Sequence, residues 1–163
     1  MKKEKIEIEF SVYSSSDELQ ENDKILLEKA RAATAMAYAP YSNFKVAAVA
    51  ILSNGEMVEG TNQENASTPA GLCAERVMLA SASMLHPNTI IETIAISYNN
   101  LNGSSNEPAT PCGICRQSLQ EYEDRLQHPI RLILGGQEGA VYVFEKSTSL
   151  LPLAFNGKDL IRS

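Results

Sequence analysis

Two short segments, Cys73-Ala74-Glu75 and Pro111-Cys112-Gly113-Ile114-Cys115, carry residue types at spacings that could do chemistry. Two cysteines three apart can chelate one ion, and a third from another part of the chain completes a set of three sulfur ligands. That set would use every cysteine in the sequence. A zinc ion so held keeps one position for water, which distinguishes a catalytic from a structural site, and such water loses a proton near neutral pH. Glu75, two residues after Cys73, stands where a carboxylate could accept that proton and deliver it elsewhere. Three thiolates leave the ion with a net negative charge, and Arg76 is expected to offset it by hydrogen-bonding a ligand sulfur.

Both cysteine groups fall where helices are expected to begin. Unpaired N–H groups and the helix dipole favour thiolate over thiol there, and zinc needs deprotonated ligands. The helices are expected over Cys73 to Leu85, ending before Pro87, and from Cys112 to about Leu126, with Thr110-Pro111 as cap and first-turn proline. A longer helix is expected from Leu19 to Ala39, with Leu26, Ala30, Ala33 and Ala37 on one stripe, stopped by Pro40 and preceded by capping types at Ser14 to Asp17. Ile6, Ile8, Phe10 and Val12 alternate with polar residues, the period of a half-buried strand. Val46 to Leu52 and Met57 to Thr61 read as a hairpin around Asn54-Gly55. Further strands are expected at Ile90 to Tyr98, Ile130 to Leu134 and Ala140 to Phe144, the last two joined at Gly135-Gly136, with a short helix after Ser147. Residues 62–72 and 99–109 read as loops. The interleaving gives an α/β class with a layered sheet.

A chain of 163 residues fits one domain, expected to span 1–163 with an extension over 1–21. No apolar run approaches the roughly 20 residues of a membrane span, and Met1 to Phe10 has no signal-peptide core. A cytoplasmic protein is expected, with no membrane partner. The odd count of three cysteines rules out a fully paired disulfide framework. The net charge of −6 gives no general attraction to nucleic acid.

The sequence resembles the short-chain cytidine deaminases over roughly residues 22 to 160. The resemblance is carried by Met36-Ala37-Tyr38-Ala39-Pro40-Tyr41-Ser42, Asn62-Gln63-Glu64-Asn65-Ala66, Cys73-Ala74-Glu75-Arg76, Pro111-Cys112-Gly113-Ile114-Cys115-Arg116-Gln117 and Leu150-Leu151-Pro152. It implies a three-layer α/β/α fold with a mixed central sheet of about five strands. It implies one zinc ion on Cys73, Cys112 and Cys115, with Glu75 as proton shuttle. Asn62 and Glu64 would bind ribose hydroxyls, Phe44 would pack on the pyrimidine, and the Ala74 backbone would read the base edge. The implied activity is a hydrolase of pyrimidine salvage, converting cytidine and deoxycytidine to uridine and deoxyuridine with release of ammonia. Phe155 would reach into a neighbouring subunit's pocket, making a homotetramer with shared sites. The chain departs from the family at Thr68, where an aromatic residue is common, and around Ala70.

Blander readings stand beside this one. Cys112-Gly113-Ile114-Cys115 alone could be a redox dithiol, although that leaves Cys73-Ala74-Glu75 without a use. A zinc-stabilised binding module would need a fourth protein ligand, and the only histidines, His86 and His128, each precede a proline at an expected helix end, where surface positions are expected. Glu75 could be a solvated helix-start carboxylate, Asn62 and Glu64 turn caps, and Phe44 and Phe155 core residues. A deaminase of a related aminated nucleoside is the alternative on the same fold.

Overall fold

Strand β2, Phe44–Leu52, buries both of its faces, and the rest of the molecule is arranged around it. The computed structural model describes residues 1–160, so the last three residues of the expected domain lie outside the described residues. Asn54-Gly55 turns the chain with Gly55 at φ 84, and β3, Met57–Thr61, returns antiparallel to β2. On its other edge β2 pairs antiparallel with β4, Ile91–Asn100. β5, Arg131–Gly135, lies parallel to β4, and β6, Val141–Phe144, closes a hairpin with β5. A three-residue strand β1, Ser11–Tyr13, adds to the outer edge of β6. The sheet therefore has six strands in the order β1-β6-β5-β4-β2-β3, against an expectation of about five.

The period-two pattern of the central strands sends alternate residues to two separate cores. Ala47 and Val49 of β2 join Ala95, Ile133, Val141 and Val143 beneath helix α1, Glu21–Ala33, which buries Leu26, Leu27, Ala30 and Ala33. Ala48, Ala50 and Leu52 join Ile94, Ile96, Leu132 and Leu134 on the opposite face. Helices α2, Ala74–Leu85, and α3, Gly113–Leu126, cover that face with Ala74, Met78, Leu79, Ala82 and Leu119. The result is the three-layer α/β/α architecture with a mixed sheet. Each fully buried large aliphatic side chain contributes about 1.5–3 kcal/mol. Alanines on β2 let the helices lie close.

Gly60, in the middle of β3, fixes how closely. A Cβ there would stand 2.3 Å from Met78 N and 2.6 Å from Ala74 O, so only glycine allows the first turn of α2 to lie against β3. At the far end of α3, the buried Glu123 carboxylate accepts hydrogen bonds from Ile130 N (3.1 Å), Ser147 N (2.8 Å) and Ser147 Oγ (2.6 Å). One acidic side chain thus ties α3 to the start of β5 and to the turn at Ser147–Leu150.

Three expectations change. The helix expected to reach Ala39 ends at Ala33, tightens through a 3-10 turn at Thr34–Met36 and then runs extended. Tyr38 bridges to the 62–64 segment, donating from its N–H to Asn62 O (3.1 Å) and accepting from Glu64 N (2.8 Å). Met36-Ala37-Tyr38-Ala39 alternates exposed and buried, a period of two inside an apparent helical stripe. The capping types before α1 also do other work: Ser15 caps the 3-10 turn Ser16–Glu18, while Gln20 precedes α1 with no side-chain cap. Finally, the strand expected over Ile6 to Val12 is paired only from Ser11, and Ile6, Ile8 and Phe10 are exposed. β6 stops at Phe144, so earlier residues have no strand beside them.

Candidate active site

α2 and α3 begin at the same place on the sheet. Cys73 is the N-cap of α2 and Cys112 the N-cap of α3; their carbonyls accept the first helical hydrogen bonds, from Val77 N and Arg116 N. Neither side chain caps its own helix, so the sulfurs turn to each other. Cys73 Sγ lies 3.7 Å from Cys112 Sγ, which lies 3.5 Å from Cys115 Sγ in the first turn of α3. All three sulfurs fall within 4.8 Å of one another. Sulfurs bound at about 2.3 Å to a tetrahedral zinc stand about 3.8 Å apart, so the spacing fits the ion. Among the described residues no histidine or carboxylate joins the three sulfurs within that radius. A structural four-ligand site is thereby disfavoured.

The electrostatics fit a cation as well. Burial pushes the Cys115 thiol well above its ordinary range, helped by the negative charge of Glu75 and Cys73. Burial also raises Cys73, with Cys112 and Glu75 adding to the effect. At Cys112 burial acts upward, but hydrogen bonds from Cys115 and Ile114 N–H groups and from the neighbouring thiols outweigh it and hold the thiol low. Cys73 and Cys115 thus resist ionisation by themselves, and a divalent ion inverts that balance. Burial likewise raises the Glu75 carboxyl, 5% exposed at the second position of α2, against the opposing pull of its own backbone N–H, the Cys115 thiol and Arg76.

Arg76 donates from Nη2 to Gly71 O at 3.1 Å, and its Nε is buried without a partner. That buried guanidinium nitrogen keeps a hydrogen bond to give. Arg116, the residue after Cys115, holds the approach to Cys112. Its guanidinium donates to Pro111 O (2.8 Å), Leu150 O (2.9 Å) and Thr110 Oγ1 (3.1 Å).

A cavity of about 780 Å³ opens over Cys73, Ala74, Glu75 and Cys112, and Phe44, Asn62, Glu64 and Thr68 line it too. Asn62 is more constrained than its sequence reveals. Its Oδ1 accepts from Val46 N (2.8 Å) and its Nδ2 donates to Phe44 O (2.9 Å), so the amide continues the edge of β2. One N–H and one lone pair remain for a ligand. Glu64 Oε2 accepts from Tyr41 N (2.8 Å) and Ser42 N (3.3 Å). Hydrogen bonds from Ser42 and Tyr41 hold its carboxyl below the ordinary glutamate value. The Phe44 ring stacks on Tyr98, centroids 4.7 Å apart and 13° between planes, so Tyr98 backs the wall that Phe44 presents.

Phe155 does not line this cavity. It is 57% exposed, beside α3, with its carbonyl accepting from Gln117 Nε2 at 2.8 Å. His86 and His128 are half-buried rather than surface residues and stand apart from the sulfur cluster.

Fold and site together define a three-layer α/β protein with a three-cysteine metal site beside a buried carboxylate. Comparison with known proteins gives the narrower class. Residues 20–127 match the model of the cytidine and deoxycytidylate deaminase zinc-binding region. An 86-residue stretch, 53% of the chain, is 42% identical to the cytidine deaminase of Mycoplasma genitalium and spans 62% of that protein. The cytidine deaminase of Mycobacterium tuberculosis is 37% identical over 85% of this chain and 92% of its own length. The crystal structure of cytidine deaminase from Burkholderia pseudomallei superposes with a TM-score of 0.70 at 35% identity, covering 84% of this chain and all of that one. The chain belongs to the zinc-binding cytidine and deoxycytidylate deaminase family, and its cofactor is one zinc ion.

Proposed function

We propose that this protein hydrolyses cytidine and deoxycytidine to uridine and deoxyuridine, releasing ammonia, as a step of pyrimidine salvage. The observation that carries the reading is a buried glutamate two residues after a helix-capping cysteine, in a cavity also lined by Cys112, whose sulfur lies 3.5 Å from that of the buried Cys115. Cys73, Cys112 and Cys115 hold the zinc ion, which when bound supplies Lewis acidity that makes a water molecule a nucleophile near neutral pH. Glu75 accepts the proton of that water and gives it to N3 of the pyrimidine as the C–O bond forms at C4. The C4 hydroxyl then returns its own proton to Glu75, which passes it to the departing amine as the C–N bond breaks and the C4 carbonyl forms. A buried glutamate with a raised pKa suits both steps, because it must give up its proton as readily as it takes it.

Phe44, held flat by Tyr98, stacks on the base, and the Ala74 backbone meets its edge. The remaining hydrogen-bonding capacity of Asn62 and the ionised Glu64 take the ribose hydroxyls. These polar groups penalise an analogue that leaves them unpaired. The acidic total of −6 supports a free nucleoside over a polynucleotide substrate. The reading places the enzyme in the cytoplasm; among the described residues no helix is long and apolar enough to cross a membrane. The chain acts as one domain, and the exposure of Phe155 outside its own cavity supports its reaching a neighbour's site in a homotetramer.

Glu75→Gln, measured for zinc content, ligand binding and ammonia release across a panel of cytosine nucleosides, tests the reading. Retained zinc and binding with turnover almost abolished is the expected result. Ammonia release close to that of the parent enzyme rejects Glu75 as the proton carrier, and release from none of the nucleosides by the parent enzyme rejects the substrate class.

A further inference from the structure

The segment before β1 carries a pattern that the active site does not use and that lies ahead of the residues matched by the family model. Even-numbered positions Ile6, Ile8, Phe10 and Val12 are apolar and 42–61% exposed, whereas odd-numbered positions run Lys3, Lys5, Glu7, Glu9. Phe10 is anchored: its ring stacks on Phe144 at 4.8 Å and meets Tyr142 at 5.1 Å. The β1–β6 register, continued one step past Phe10, would set Glu9 against Glu145, like charge against like. The segment therefore leaves β6 there, still alternating, with an open row of backbone donors and acceptors.

Its charges are arranged to pair with themselves. In an antiparallel pair of two identical copies centred on Ile6, Lys3 faces Glu9 and Lys5 faces Glu7, each twice by symmetry, and Ile6 faces Ile6. A slip of two residues sets Lys5 against Lys5 or Glu7 against Glu7. A slip of one turns the apolar side of one copy onto the charged side of the other. Parallel pairing in register stacks lysine on lysine. Only this register sets each odd-numbered charge against its opposite, while Glu4, which pairs with Lys2 of its own chain, stands opposite Ile8.

We propose that residues 3–9 form an antiparallel β-ribbon with the same segment of a second copy of this chain, its two-fold axis at Ile6. A two-stranded ribbon alone is marginal in water, but this one grows from two existing sheets, each fixed by β1 and by Phe10. The contact is made by different residues from the one expected around Phe155 and is independent of the deaminase chemistry.

Cysteine cross-linking of the full-length, zinc-loaded protein tests it. In this register the two copies of Ile6→Cys have Cα atoms about 4.5–5.5 Å apart, inside the span of a disulfide. The two copies of Ile8→Cys lie four residues apart along the ribbon, about 13 Å, and cannot bridge. With oxidised glutathione, Ile6→Cys should give a disulfide-linked dimer and Ile8→Cys should not. Adding Lys3→Glu and Lys5→Glu should abolish the link. Co-expression of that chain with one carrying Ile6→Cys, Glu7→Lys and Glu9→Lys should restore it as a heterodimer. Equal linking at positions 6 and 8 overturns the proposal, as does no linking at position 6, which assigns the segment to solvent, to its own sheet or to a foreign partner.

Discussion

Replacing Gly60 with alanine adds one methyl group to β3 and should disable a site it never touches. The new Cβ would lie 2.3 Å from Met78 N, 2.6 Å from Ala74 O and 2.8 Å from Met78 Cα, all backbone atoms. Ordinary contact begins near 3.4 Å, so the shortfall is 1.1 Å, and no side-chain rotamer can absorb it. α2 must lift from β3 by about that much at Ala74 to Met78, the turn that carries Glu75 and follows Cys73. Displacing a catalytic group by about 1 Å costs on the order of 10²-fold in rate. Overpacking costs about 1–3 kcal/mol of stability, which for a chain of this size lowers Tm by roughly 2–12 °C. The assay is kcat on zinc-loaded Gly60→Ala well below its Tm, with zinc content measured alongside. A folded variant whose kcat, zinc content and Tm all match the parent would refute the claim that this backbone contact sets the position of the site.

Glu123→Ala strips the acceptor from Ile130 N, Ser147 N and Ser147 Oγ at once. With about 1–3 kcal/mol for each buried donor left unpaired, a loss near 3 kcal/mol or more is expected in urea unfolding, and less than 1 kcal/mol would contradict the clamp. Tyr98→Leu removes the ring behind Phe44, so KM for the nucleoside should rise several-fold, with stacking worth about 0.5–1.5 kcal/mol, while kcat changes less. A change in kcat alone would place Tyr98 elsewhere in the mechanism. Glu64 has a folded pKa held down by N–H donors, so its contribution is present above the ordinary glutamate range and is lost only as pH falls through the lower folded value. Carboxyl carbon NMR should give a midpoint below that of an ordinary glutamate. A midpoint at or above it would mean that Tyr41 and Ser42 do not hold the carboxylate.

What could be read from the sequence followed local rules. Asn54-Gly55 makes its hairpin because two adjacent residue types there tolerate the turn, and both cysteine segments open helices because Pro111 and the break at Pro69 to Leu72 precede them. The departures need pairing partners that only the folded chain supplies. Ala37 and Ala39 fit a helical stripe until Tyr38 bridges to Asn62 and Glu64. Tyr98 meets Phe44 only through the β2–β4 register, which places Tyr98 opposite Val46. Asn62 was legible as a polar group of the site, but not as the residue that splints Phe44 and Val46. Gly60 did leave a signal, a glycine inside a strand, which marks close backbone approach without naming what approaches. Arg116 and Glu123 join segments 34 and 24 residues away, beyond any local pattern.

X-ray absorption at the zinc edge of the holoenzyme is the most direct measurement of the arrangement at the two helix tips. Three sulfur scatterers at about 2.3 Å and one oxygen or nitrogen near 2.0 Å are expected. A shell of four protein ligands, or fewer than three sulfurs, would contradict it.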